Sequence, residues 1–110
     1  MKGFRVGLLL LVASISAALG DELDPAVAKA RDAYAWCIGN HAVAEAKTDK
    51  APEQAADAAV IACSVEAKAV LDAMTAPPTN MTLDDAIATM QRMQDKGRNI
   101  AIDIIKQHRE

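Results

Sequence analysis

Apolar positions recur at alternating steps of three and four along three segments of the chain, which is the spacing of one face of an α-helix. In the first segment the repeat comprises Val27, Ala30, Tyr34, Cys37, His41 and Ala44. Asp24 and Pro25 stand immediately before it, and this order favours a helix N-terminus with Asp24 as the N-cap. The pattern predicts a first helix over residues 25–47.

A second repeat with the same spacing follows a short polar break. Residues 48–51 form the break, and Pro52 with Glu53 is typical of a helix start, since an acid is favourable at that end of the helix dipole. The repeat comprises Ala56, Val60, Cys63, Ala67, Val70 and Met74. It predicts a second helix over residues 52–75. Because the connection is short, the two helices should form an antiparallel helical hairpin.

A third helix is predicted over residues 83–107. Pro77 and Pro78 end the second helix, because proline cannot continue a helical ladder. Thr82 and Asp85 resemble a capping box at the start of the third. Its apolar set is Leu83, Ala86, Ile87, Met90, Met93, Ile100, Ala101, Ile104 and Ile105.

Gly97 interrupts this last stripe and marks either a close helix crossing or a bend. The charges at the two ends suit the helix dipole, with Asp84 and Asp85 at the start and Lys106 and Arg109 near the end. The predicted fold is therefore all-α, a small three-helix bundle built on the antiparallel helical hairpin.

The two cysteines, Cys37 and Cys63, each lie on the stripe of their own helix. The residue midway between them, Lys50, falls in the predicted loop. Each cysteine is about 13 residues from the turn, or roughly 20 Å along the helix axis, so the two should meet at one level. We expect them to form a disulfide, provided that the protein resides in an oxidising compartment.

The N-terminal residues indicate such a compartment. Lys2 and Arg5 precede an apolar run that ends at the small residues Ala18 and Gly20, the pattern of a secretory signal peptide over residues 1–20. An uncleaved N-terminal anchor is the alternative interpretation. Cleavage predicts a periplasmic or secreted protein with no stable membrane insertion.

The remaining chain, residues 21–110, suits a single helical domain. Cleavage would remove two of the 12 basic residues and none of the 15 acidic ones, so the net charge would fall from −3 to −5. An acidic chain is a poor partner for nucleic acid, which normally requires a basic face. Alanine dominates the apolar positions, and the predicted core is so thin that a covalent cross-link should matter to its stability.

The run YAWCIGNHAV, residues 34–43, concentrates several chemically useful side chains. Cys37 and His41 are four residues apart on one helix face, and Cys63 is predicted opposite them, so the three could hold zinc or copper if the thiols stayed reduced. The same geometry also places Tyr34, Cys37 and His41 in the seam between helices, with both sulfurs in a disulfide. We favour the disulfide and expect no cofactor.

The methionines offer a second metal hypothesis. Met90 and Met93 have the M-x-x-M spacing of thioether copper sites, and Met74 and Met81 could come within reach. Methionines at helical spacing are more commonly flexible core residues, and we favour that interpretation.

Trp36 is adjacent to Cys37 but about 100° round the helix from it, off the first stripe. We expect it to cover the third helix, which lacks an aromatic partner. The alternative is that Trp36 is exposed and marks a partner surface, since tryptophan is enriched at binding hot spots.

Catalysis finds no support in the sequence. There is no G-x-S-x-G motif and no C-x-x-C pair, and His41 and His108 lie on different predicted helices. We therefore expect a protein that is not an enzyme.

The arrangement Tyr34-x-x-Cys37, a loop with Pro52, and Ala59-x-x-x-Cys63 is similar to small exported two-cysteine helical proteins of proteobacteria, which have no assigned function. The resemblance implies a helical hairpin and carries over no site residues. In size and two-cysteine helical design the chain also resembles the acid-stress chaperones of the periplasm, without a shared motif.

Three functional hypotheses follow. The first is an exported, non-enzymatic helical protein that binds another protein or has a structural role. The second is a periplasmic protein that handles copper or zinc. The third is a small acid-stress chaperone that would expose apolar helix faces when acid neutralises its carboxylates.

Overall fold

The structure, a computed structural model, describes residues 24–110, and these residues form four α-helices. They are α1 (Pro25–Glu45), α2 (Pro52–Ala62), α3 (Ser64–Thr75) and α4 (Leu83–Arg109). The predicted all-α fold class is confirmed. The predicted signal peptide lies outside the described residues. Within residues 24–110, none of the helices is both long enough and apolar enough to cross a membrane.

Helix α1 begins at Pro25 as predicted, but its buried face differs from the predicted stripe. The side chain of Asp24 occupies the N-cap position and makes no capping hydrogen bond. The buried residues are Val27, Tyr34, Ile38 and Ala42. His41 and Ala44, which the repeat assigned to the seam, are exposed. An α-helix has 3.6 residues per turn, so a 3.5-residue repeat drifts by about 20° per heptad, and the core passes to Ile38 and Ala42.

The predicted second helix is divided at Cys63. The backbone of Cys63 has φ −102° and ψ 22°, outside the helical region, and its N–H donates to the carbonyl of Val60 at 3.1 Å in a tighter turn. Helix α2 packs chiefly against α4, whereas α3 packs chiefly against α1. A single straight helix over residues 52–75 is therefore wrong, although the whole predicted stripe still faces the interior.

Gly97 marks a close crossing between α1 and α4. Helix α4 continues through Gly97 over 27 residues, so the glycine does not end it. A Cβ atom at this position would lie 3.6 Å from the Tyr34 hydroxyl oxygen and 3.7 Å from Ile38 Cγ1. The lack of a side chain lets the Tyr34 ring lie against the backbone of α4.

The apolar set predicted for α4 is only partly buried. Ala86, Met90, Ala101 and Ile105 lie in the core. Leu83, Ile87 and Ile100 are exposed, contrary to the prediction. Ile87 and Ile100 each adjoin a buried alanine and so lie about 100° round the helix from a core position. Leu83 is the first residue of the helix, beyond most of the packing.

The C-terminus of α1 is held by a side chain from the last turn of α4. The Arg109 guanidinium donates hydrogen bonds to the carbonyl oxygens of Ala46 at 3.0 Å and Thr48 at 2.9 Å. The Thr48 hydroxyl also donates to the carbonyl of Glu45 at 2.7 Å. A cation at this end of a helix interacts favourably with its dipole, and these bonds satisfy carbonyls that α1 leaves unpaired. Helix α1 accordingly ends at Glu45, two residues before the predicted limit.

The core is as thin as the composition indicates. Seven of its 15 buried residues are alanines, and the largest side chains that are fully buried are those of Met74, Ile105, Val70 and Cys63. No charged residue among residues 24–110 is buried. Folding therefore removes little apolar area per residue from water.

Candidate functional site

Cys37 and Cys63 form the predicted disulfide, with their Cα atoms 5.9 Å apart. Cys37 lies in the middle of α1, and Cys63 is fully buried at the break between α2 and α3. The bond therefore joins α1 to the break between α2 and α3. This prediction, which rested on the position of each cysteine relative to the loop, is confirmed.

His41 lies beside the bridge but on the surface. Ligand atoms of Cys37, His41 and Cys63 are all within 4.8 Å of one another, so the structure brings together the three residues of the first metal hypothesis. Metal coordination requires thiolates, whereas here the two sulfur atoms are bonded to each other. This cluster could bind a metal only after reduction of the disulfide.

Trp36 projects into solvent, with 74% of its surface exposed. The expectation that it covers the third helix is wrong, because the Tyr34 ring and Ile38 occupy that crossing at Gly97. Trp36 precedes the half-buried Cys37 by one position and the buried Ile38 by two, and it faces away from the core. This position is compatible with the alternative interpretation, in which Trp36 is exposed at a candidate partner surface.

Two further large apolar side chains near the bridge are exposed. Ile61 and Val65, two residues either side of Cys63, expose 73% and 76% of their surfaces. Together with Trp36, which adjoins Cys37, they leave three large apolar side chains in water within two residues of the bridging cysteines. A single exposed apolar residue is ordinary, but this local concentration in a chain with one tryptophan is not explained by packing.

A separate cavity of about 210 Å³ lies between the N-terminal half of α1, the end of α3 and the first half of α4. We call it the methionine cavity. Its lining residues are Val27, Arg31, Met74, Thr79, Met81, Thr89 and Met93. Three of the four methionines of the second metal hypothesis therefore meet around one space. Met90 is buried but does not line the cavity.

The lining of the methionine cavity is almost entirely apolar, and two arginines lie in or beside it. Arg31 lines it directly. The hydroxyl of Thr89 donates to the carbonyl of Asp85 at 2.9 Å and accepts a hydrogen bond from the Arg92 guanidinium at 3.1 Å. Its oxygen is 4.0 Å from the sulfur of Met81. Among residues 24–110, neither Arg31 nor Arg92 takes part in an ion pair.

Sequence reasoning found the methionines of this cavity but not its polar residues. Arg31 stands four residues after Val27, and Thr89 stands four residues before Met93. Residues four apart share a helix face, so each polar residue could have been assigned to the same face as its apolar neighbour. The missing information was which faces of α1 and α4 meet.

Tyr34 is buried, with 3% of its surface exposed, and its hydroxyl has no hydrogen-bond partner among the described residues. Burial raises the pKa of its phenol by desolvation. The hydroxyl lies against Gly97, outside the lining of the methionine cavity. Its role is therefore packing between α1 and α4.

Comparisons with protein-family models, curated proteins and solved structures find no match. The similarity to exported two-cysteine proteins stays a prediction.

Proposed function

We propose that this protein is an exported, non-enzymatic helical protein that binds another protein through the surface around Trp36. The exposure of 74% of the only tryptophan carries the proposal. Burying a tryptophan removes on the order of 200 Å² from water, worth roughly 5 kcal/mol before the costs of association. No other exposed side chain here offers a partner as much apolar area.

The rigidity of the surrounding structure supports this role. The disulfide fixes α1 to the α2–α3 break beside Trp36, Ile61 and Val65. A surface that is ordered before binding loses less conformational entropy on association. The bridge is also compatible with an oxidising compartment, which supports a periplasmic or secreted location.

Among residues 24–110 no charged side chain is buried as a whole, and the two carboxylate oxygens that are buried, on Asp24 and Glu66, have no hydrogen-bond partner. This supports a role without catalysis. Catalytic acids and bases usually depend on burial or on a close charged neighbour to adjust their pKa values. The one buried ionisable side chain in this part of the chain, Tyr34, packs against a glycine and faces no cavity.

The test is photo-crosslinking in the native compartment from a photoreactive residue at position 36, combined with pull-down. Wild-type protein should retain a specific protein that Trp36→Ala loses. Asn40→Ala, which changes an exposed residue one turn further along α1, should retain it. Equal retention by all three proteins would exclude the Trp36 surface as the binding site.

A second candidate function is metal handling by the reduced protein. It is favoured by the positions of Cys37, His41 and Cys63, whose ligand atoms all lie within 4.8 Å of one another. Reduced protein should bind zinc or copper more tightly than oxidised protein, and His41→Ala should weaken the binding. Intact mass without reductant provides the check. A mass two units below the all-thiol value in material from the native compartment would argue that the site is closed there.

The acid-stress chaperone hypothesis gains no support from the charges. Among residues 24–110 no carboxylate side chain is buried as a whole, although one oxygen atom each of Asp24 and Glu66 is buried without a hydrogen-bond partner. Protonation would affect surface ion pairs, whose individual contributions are typically about 0–1 kcal/mol. Dye binding to apolar surface at low pH would test this directly.

A further inference from the structure

The Cys37–Cys63 bridge is buried unequally at its two ends. Cys63 exposes none of its surface, whereas Cys37 is half-buried on α1. Asn40 and His41, which share a helix face with Cys37, are both exposed, so this face of α1 borders solvent. A reagent in solution cannot contact the Cys63 sulfur in the folded protein, and Cys37 is the end of the bridge that it can reach.

This difference in burial decides the course of thiol–disulfide exchange. A thiolate attacks one sulfur of a disulfide, forms a mixed disulfide with it and expels the other sulfur as a thiolate. Attack at Cys37 therefore leaves the thiolate on Cys63, in a fully buried position. Because an unpaired buried charge is costly, the Cys63 sulfur needs a proton as it leaves.

The imidazole of His41 is placed to supply that proton. One of its ring nitrogens lies within 4.8 Å of both sulfur atoms of the bridge. His41 is exposed, so its imidazole exchanges protons with water, which Cys63 does not contact. The three residues thus combine an accessible sulfur, a buried leaving sulfur and a proton donor beside both.

We propose that Cys37 is a site of reversible modification by small thiols, with Cys63 as the buried leaving group that later closes the bridge again. The small thiolate attacks Sγ of Cys37, the bond between the two cysteines breaks, and a mixed disulfide forms on Cys37. The electron pair of the broken bond leaves with the Cys63 sulfur, which takes its proton from His41. In the reverse reaction the Cys63 thiolate attacks Cys37 and expels the small thiol, so the cycle consumes no oxidant or reductant. This reaction does not depend on a partner at Trp36.

The first test is whether glutathione reacts with the oxidised wild-type protein without unfolding it. Samples are quenched with acid, which removes the reactive thiolate, and are digested with pepsin for peptide mapping. The mixed disulfide should lie on Cys37 and not on Cys63. In about 1 M urea the rate should change by less than about twofold, whereas a reaction that requires unfolding should accelerate roughly 5- to 150-fold, as the unfolded population does.

Two single-cysteine variants compare the two sulfurs directly. In Cys63→Ala the thiol of Cys37 should react with glutathione disulfide without urea. In Cys37→Ala the thiol of Cys63 should stay unreactive until urea unfolds the chain. Where loss of the bridge unfolds these variants, the wild-type reaction decides alone. Adducts on both cysteines, or a rate that rises with urea as the unfolded population does, would overturn the proposal.

The role of His41 has its own measurement. His41→Gln should slow the attack of glutathione on the bridge by about threefold or more, because the leaving sulfur loses its proton donor. The mixed disulfide should still form on Cys37, and the dependence on urea should not change. His108→Gln is the matched control, since it replaces the other histidine, which is exposed in the last turn of α4. Equal rates for His41→Gln and His108→Gln would overturn the part assigned to His41.

Discussion

Removal of the Cys37–Cys63 bridge should be the most damaging small change to this fold. The bond closes a loop with a sequence separation of 26 residues. On the chain-entropy model, a loop of this length stabilises the folded state by roughly 3.5 kcal/mol, because the cross-link restricts the unfolded chain. Single domains have total unfolding free energies of about 5–15 kcal/mol, so the bridge supplies between about a quarter and two-thirds of the total.

Two perturbations separate the cross-link from the packing of its sulfur atoms. Reduction of wild-type protein breaks the bond and leaves both sulfurs in place. The double variant Cys37→Ala/Cys63→Ala also removes the fully buried sulfur of Cys63, which should cost about 1 kcal/mol more. We therefore expect losses of roughly 3.5 and 4.5 kcal/mol, equivalent to a fall in melting temperature of about 14–28 °C for the reduced protein.

The assay is urea unfolding followed by circular dichroism at 222 nm, with and without reductant. The double variant should be insensitive to reductant, which controls for effects of the reductant on the rest of the chain. If reduced and oxidised wild-type protein differ by less than about 1 kcal/mol, the entropic reasoning is refuted. The thin alanine core would then have to be sufficient by itself.

Four further predictions concern α4 and its contact with α1. Gly97→Ala should raise the free energy of unfolding by about 0.5–1 kcal/mol in urea titrations, because alanine favours the helix and its Cβ would meet no atom closer than 3.6 Å. Gly97→Leu should lower the free energy of unfolding, because the larger side chain would clash with Tyr34. Tyr34→Phe should change stability by no more than about 1 kcal/mol and in the stabilising direction, since it removes a buried hydroxyl that has no partner. Burial raises the pKa of Tyr34, so the folded protein keeps the phenol proton to a higher pH than the unfolded chain does. The stability of the folded protein should therefore fall as pH rises above about 10. Melting curves recorded over a pH series should show this fall for wild-type protein and not for Tyr34→Phe. Thr82→Ala should cost about 1 kcal/mol, because the Thr82 hydroxyl accepts the N–H of Asp85 at 3.2 Å; an unchanged urea midpoint would contradict that role.

The position of the disulfide could be predicted because it depends on local spacing alone. Proline and polar residues mark the loop, each cysteine lies on an apolar stripe, and Cys37 and Cys63 are equally distant from the loop. Those features need no knowledge of which helix packs where. The start of α4 at Leu83 and the thin core follow from the sequence for the same reason.

The break at Cys63 could not be predicted from the same features. The sequence has neither proline nor glycine there, and the apolar spacing continues from Val60 to Ala67 without interruption. The break depends on tertiary packing, since α2 and α3 lie against different helices. A periodic pattern shows that a segment faces the core. It does not show that the segment is divided into two helices when both helices face the core.

The exposure of Trp36 is only the alternative interpretation of the sequence, and the part of Arg31 and Thr89 in the methionine cavity is not predicted at all, for a related reason. Periodicity defined a face for each helix, but not the neighbour that covers it. The sequence places Tyr34 in the seam with the cysteines and Trp36 over the third helix, but in the structure it is the Tyr34 ring that lies against that helix, at Gly97. Arg31 gained significance only when α1 was placed beside α3 and α4.

The hold of Arg109 on the end of α1 has a practical consequence for anyone producing this protein. Its guanidinium contacts carbonyl groups 61 to 64 positions earlier in the chain, so the last turn of α4 is tied to the C-terminal end of α1 and the loop that follows it. A deletion that stops short of residue 109, or an affinity tag whose rigid linker pulls the last turn aside, would remove these hydrogen bonds from the C-terminal end of the first helix. Tags on this side should therefore be attached through a flexible spacer, and a shortened version should not be taken as a faithful substitute in binding assays.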